Sequence, residues 1–144
     1  MNYRPIYESS HDRSRESIVA HAFAATAGLT VAKMPALCPV DFQAYEDETS
    51  VAYLEIKCRN NPRHQYSTYM ISKDKIDKAL AMAQESDVAF VLVIRWTDGI
   101  YFHVINDTSD FAVREGGRWD RGDPKDVELT YHIPTDQFRF ACPA

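Results

Sequence analysis

The sequence predicts an α/β fold: a single domain over residues 1–144, built on one mixed β-sheet flanked by helices. Two observations carry this. Two segments space their apolar residues at helical intervals, and several short runs rich in β-branched and aromatic residues end in Gly, Asp, Asn or Pro. Helices and strands interleave along the chain, as in a layered sheet. At 144 residues the chain is about one domain long and can bury a core.

The first helix is expected over 13–27, where Ile18, Val19, Ala22, Phe23 and Ala27 form a stripe and Gly28 sits where a helix would stop. Glu16 lies at the leading edge of that stripe, where the helix dipole favours an acid. LTVAKM at 29–34 reads as a strand, ended by the prolines of PALCP. PVDF at 39–42 and LEIKC at 54–58 read as a hairpin around the polar loop EDETS at 46–50. The polar stretch RNNPRHQ follows, and QYSTYMI at 65–71 is a short strand or extended segment.

Ser72 is placed to cap a helix over about 73–86, with Ile76, Ala79, Leu80 and Ala83 inward. The apolar run VAFVLVIRW at 88–96 reads as a central strand covered on both faces, and TDG turns the chain into IYFHVI at 100–105. Residues 106–126 are a long polar loop with room for one short strand. VELTYHI at 127–133 restores strand character, and IPTDQFRF supplies a last turn and an apolar anchor.

Composition narrows the function classes. No apolar run approaches the roughly 18 residues of a membrane span, and the polar N-terminal stretch lacks the apolar core of a signal peptide, so a cytoplasmic location is expected with no membrane partner. Cys38, Cys58 and Cys142 are odd in number and lack CxxC spacing, which suggests neither a disulfide framework nor a zinc knuckle. A net charge of −5 argues against nucleic-acid binding by general attraction. It does not exclude a nuclease, whose metal-binding carboxylates are themselves negative. A basic strip is also available in Arg59, Arg63 and His64, followed by Lys73, Lys75 and Lys78.

The most informative pattern lies in the hairpin. Reflecting the chain about Glu48 sets Val40 against Ile56, Phe42 against Leu54 and Ala44 against Ala52, so one face is apolar. The other face carries Asp41 opposite Glu55, with Lys57 next along the strand. Opposed carboxylates repel, so a sheet keeps them only with positive charge between or beside them. A divalent metal would satisfy them. A cross-strand ion pair between Asp41 and Lys57 on an exposed face would need no metal.

With Glu16 on the first helix, Asp41 in PVDF, and Glu55 and Lys57 in LEIK, followed by a helix and an apolar strand, residues 13–105 resemble the PD-(D/E)XK nuclease superfamily, whose core is restriction-endonuclease-like. The chain departs from the pattern in having Val40 between Pro39 and Asp41. The resemblance implies a metal-dependent endonuclease that hydrolyses DNA phosphodiester bonds. In it Asp41 and Glu55 hold Mg²⁺ or Mn²⁺ with the backbone carbonyl of Ile56, and Glu16 acts through water. Lys57 stabilises developing negative charge. Arg59, Gln65, Tyr66, Ser67, Lys73 and Lys75 are the candidate substrate contacts.

The resemblance also suggests a structure- or end-directed enzyme, phage-encoded and acting in the host cytoplasm, as a homodimer or within a larger complex. The five histidines show no metal-ligand spacing, and Trp96 and Trp119 are candidates for core packing or base stacking. The alternative is a catalytically inactive nuclease-fold module that binds DNA or a protein. RNA as substrate is not separated from DNA by any residue.

Overall fold

The computed structural model describes residues 10–117 and 127–144. The elements are α1 (Ser10–Ala27), β1 (Thr30–Lys33), β2 (Phe42–Glu46), β3 (Thr49–Cys58), a 3₁₀ turn (Arg63–Gln65), β4 (Thr68–Ser72), α2 (Lys73–Glu85), β5 (Ala89–Trp96), β6 (Gly99–Val104), β7 (Ala112–Gly117), β8 (Val127–Pro134), a second 3₁₀ turn (Thr135–Gln137) and β9 (Arg139–Cys142). The main sheet has the order β1-β2-β3-β5-β6-β9, mixed because β3 and β5 run parallel while the other neighbours are antiparallel. A separate antiparallel sheet has the order β4-β8-β7. The strands expected at 65–71 and 127–133 thus pair with each other and leave the main sheet. The polar segment contributes β7, and residues 118–126, with Trp119, lie outside the described residues.

Alternation along the central strands explains the layers. Val91 and Val93 of β5 face the α1 side with Leu54, Ile56, Val19 and Phe23. Phe90, Leu92, Ile94 and Trp96 face the other side, where Ile76 and Ala79 of α2 and Ile71, Tyr131 and Ile133 of the second sheet cover them. Both faces of β5 are therefore dry, which is why its sequence is an unbroken apolar run. Trp96 is core, edge-on to Tyr69, Tyr101 and Phe138. The buried face of α1 is Val19, Ala20, Phe23 and Ala24, while Ile18 is 69% exposed. The sequence stripe was rotated away from the true one.

The hairpin register agrees with the sequence over its body, with Phe42 opposite Leu54 and Ala44 opposite Ala52. Beyond Ala44 the register slips, so that Tyr45 meets Ser50 and Glu46 meets Thr49. The connection is thus a two-residue turn at Asp47 and Glu48, Asp47 taking φ 55°, and not a five-residue loop. At the other end β2 begins only at Phe42. Val40, freed from the ladder, packs with the α2-side cluster instead of the α1 side.

α1 ends in a Schellman arrangement: Leu29 N–H donates to Ala24 C=O (2.8 Å), Gly28 N–H donates to Ala25 C=O (3.3 Å), and Gly28 has φ 74°. A side chain at Gly28 would meet nothing within 4 Å, so only backbone strain opposes one there. Gly28→Ala should cost about 1 kcal/mol in urea unfolding with an unchanged circular dichroism spectrum. A loss near zero would show that the helix end relaxes to another cap.

Candidate functional site

β3 sorts its side chains by period: Ala52, Leu54 and Ile56 go to the α1 side, and Tyr53, Glu55 and Lys57 go to the α2 side. Glu55 pairs in register with Leu92 of β5, and Lys57 with Ile94, both core residues. The Glu55 side chain consequently points into the covered side of the sheet and is 1% exposed. Among the described residues its Oε2 has no hydrogen-bond partner. Cations meet the other oxygen: Lys75 Nζ lies 2.7 Å from Oε1 and Lys57 Nζ 3.9 Å from the same atom.

Asp41 is fixed where β2 gives out. Its N–H donates to Leu54 C=O (2.9 Å), and its C=O accepts from Met34 N–H (2.9 Å) just beyond β1. Its carboxylate stands in for the missing ladder partner, since Oδ2 accepts from Ile56 N–H at 2.8 Å. The irregular strand end thus delivers an anchored carboxylate beside Glu55. Their proximity registers in the titration of Glu55, on which Asp41 exerts a raising charge.

Lys75 joins this cluster from α2. Ser72 caps the helix, its Oγ accepting from Lys75 N–H at 3.3 Å, and Lys75 then falls on the stripe continued by Ala79 and Ala83, both buried. The sequence reading placed Lys75 among phosphate contacts at the helix end. Its spacing of four and eight from Ala79 and Ala83 was the available signal that it points inward.

Burial, followed by the charge of Asp41, pushes the Glu55 carboxyl up to about 8, and Lys75 and Lys57 bring only part of it back. Lys57 is held below its ordinary value, first by burial and then by Lys75. Burial also opposes the charge on Lys75, but Glu55 and Asp41 outweigh it and its pKa is raised.

The remaining sequence candidates divide. Glu16 is part-buried on α1, close enough for its charge to act on the Cys58 thiol. Among the described residues no three His, Cys, Asp or Glu side chains form a cluster, so Glu16 does not converge with Asp41 and Glu55. Arg59 donates from Nη2 to the Tyr69 hydroxyl (2.6 Å) and lies over that ring. Arg59, Tyr66 and Ser67 line a cleft of about 450 Å³ next to the cluster, while Gln65 is exposed and donates to the Tyr66 hydroxyl (3.2 Å). Lys73 is turned aside into a 2.6 Å pair with Asp77.

Two convergent carboxylates and a strand lysine, arrayed as Asp41 and Glu55-x-Lys57 on a mixed sheet between helices, define the PD-(D/E)XK class of nucleases. Within that class the chain belongs to the family described as "Phage putative PDDEXK endonuclease", which matches residues 2–141. Its fold is similar to that of Archaeoglobus fulgidus Hjc, a Holliday junction resolvase from an archaeal hyperthermophile. The TM-score is 0.56 over 84% of this chain and 82% of that one, at 12% identity, so the likeness is one of fold. No curated protein matches the sequence. Among the described residues no helix is long and apolar enough to cross a membrane.

Glu55 gives the site a stability signature. Unfolded, the carboxyl ionises near 4.5; folded, it keeps its proton to about 8. Its contribution is full below 4.5 and is lost as pH rises through about 8. In EDTA, Glu55→Gln should lie closest to wild type in Tm at about pH 5 and gain on it as pH rises to about 9. A pH-independent difference would mean that the carboxyl titrates as an ordinary surface acid.

Proposed function

We propose that this protein is a divalent-metal-dependent DNA endonuclease whose phosphodiester hydrolysis is carried out at Asp41, Glu55 and Lys57. The observation that carries the reading is the Glu55 carboxyl, 1% exposed, with no hydrogen-bond partner at Oε2 among the described residues, met at Oε1 by lysines, and set beside a second, anchored carboxylate. A carboxylate buried so costs stability unless a proton or a cation compensates it, which is the cost of a prepared cation site. The donors fit Mg²⁺ or Mn²⁺: the carboxylates of Asp41 and Glu55 and the Ile56 carbonyl are all hard oxygens. The N–H and C=O of a strand residue leave on the same side, so the Ile56 carbonyl faces the edge at which its N–H meets Asp41. Glu16 is assigned an outer place, acting through water.

Bound there, the ion supplies Lewis-acid polarisation of the scissile phosphate and a more acidic water. The protein's own side chains do the rest. The Ile56 N–H orients Asp41 through one carboxylate oxygen. Lys57, 26% exposed and 3.9 Å from Glu55, is placed to meet the negative charge that develops on the phosphate during attack. Lys75 brings a second positive charge to Glu55 from the helix side, and Arg59, Gln65, Tyr66, Ser67 and Lys73 flank the path of the strand.

DNA with a branch or an end is the substrate we favour. The likeness of fold to a Holliday junction resolvase supports that choice, and the family's description supports a phage-encoded enzyme. Cutting of plasmid and branched oligonucleotides should require Mg²⁺ or Mn²⁺, stop in EDTA, and fall by at least about a hundredfold in Asp41→Asn, Glu55→Gln and Lys57→Ala. Full activity in Lys57→Ala or in EDTA would sink this mechanism. Binding without cutting on any DNA would favour the inactive module.

A further inference from the structure

The cleft of about 450 Å³ beside the carboxylates has a use that phosphate contacts do not explain. We infer that it receives one unpaired nucleotide of the DNA strand being cut, with the base laid on the ring of Tyr66. The inference rests on the nuclease reading above and names the substrate feature that reading leaves open: a strand with a base free of its partner.

Position comes first. Arg59 and Asn61 of the cleft wall lie two and four residues beyond Lys57 in the chain, and Tyr69 lines the same cleft. Arg59 donates from Nη2 to the Tyr69 hydroxyl at 2.6 Å, and the charges of Glu55 and Lys75 both act on that phenol, so the cleft adjoins the catalytic cluster. A strand whose phosphate reaches Lys57 has its neighbouring nucleotide at the cleft mouth.

Size comes second. The volume falls within the roughly 300–1,000 Å³ of small-ligand sites. A paired base cannot enter it without leaving its partner, and that step costs least where the base is already unpaired, as at a flap, gap or branch.

Chemistry is the third argument. A site built for phosphate alone would be lined by cations and backbone N–H groups. This one combines a cationic wall at Arg59 with two largely apolar residues open to solvent, Tyr66 (62% exposed) and Met70 (50% exposed). Ser67 and Asn61 add hydrogen-bonding groups suited to a base edge. The exposed ring also stands on a fixed backbone. Thr135 Oγ1 donates to Tyr66 C=O (3.1 Å), and Thr135 N–H donates to Ser67 C=O (2.9 Å). A large ring held open to solvent from a pinned backbone is a preformed stacking platform, which suits any base because every base has a flat face.

The test uses the whole protein in EDTA, so that binding is read without cutting. Fluorescence anisotropy would compare a labelled duplex carrying a single-stranded flap with the same sequence fully paired, for wild type, Tyr66→Ala and Tyr66→Phe. Tyr66→Ala should weaken flap binding about tenfold and leave the paired duplex within about twofold, while Tyr66→Phe keeps the ring and binds as wild type. A 2-aminopurine in the flap should be quenched on binding wild type and not on binding Tyr66→Ala. Equal loss on both DNAs, no loss on either, or no binding of the flap by wild type overturns the inference. Cutting assays on the same proteins separate this from the nuclease reading. Metal-dependent cutting with no Tyr66 effect removes the nucleotide site alone, whereas flap-selective binding with no cutting of any DNA removes the enzyme and keeps the site.

Discussion

The structure is organised around a carboxyl group placed where the fold must be dry. Glu55 occupies an inward position on β3, beside Leu92, on the side of the sheet that α2 and the second sheet cover. Burying an unpaired carboxylate is among the most expensive things a protein can do. The neighbourhood responds with two lysines, from β3 and α2, and with a raised affinity for a proton. Its burial sets the group apart from a surface ion pair, since an exposed pair leaves its acid ionised and solvated.

Two local irregularities make the arrangement possible. β2 begins at Phe42, one residue after Asp41, so the Asp41 side chain and not its backbone completes the hydrogen bonding of Ile56. β4 runs without interruption into α2 at Ser72, whose capping bond sets the phase of the first helical turn and so directs Lys75 toward β3. Each aims a charged group at the same small volume, and the regular sheet around them keeps that aim steady.

The second sheet does two things in the fold. Its inner face, through Tyr69, Ile71, Tyr131 and Ile133, closes the core over β5. Its margin, with the 3₁₀ turn at Arg63–Gln65, forms the cleft next to the acids. Arg63 holds the two parts together: its N–H donates to Asp98, its Nη1 to the Thr135 carbonyl, and its guanidinium lies over Tyr101.

The sequence by itself determined the faces of the central strands. Period-two alternation assigned Glu55 and Lys57 to one side of β3 and Leu54 and Ile56 to the other, and the apolar match across the hairpin specified its register without any distant contact. Continuous apolarity marked β5 as covered twice. Local pattern did not reach further. Ile18 and Ala20 flank Val19, and helical spacing could not say which of them the sheet would cover; packing chose the alanine. The separation of β4 and β8 into their own sheet, the turning of Val40 to the α2 side, and the convergence of Lys75 on Glu55 join segments far apart in the chain. Those outcomes belong to the tertiary structure because period records only which way a side chain leaves its own element, while the partner it meets is decided by how the layers close over the carboxyl group.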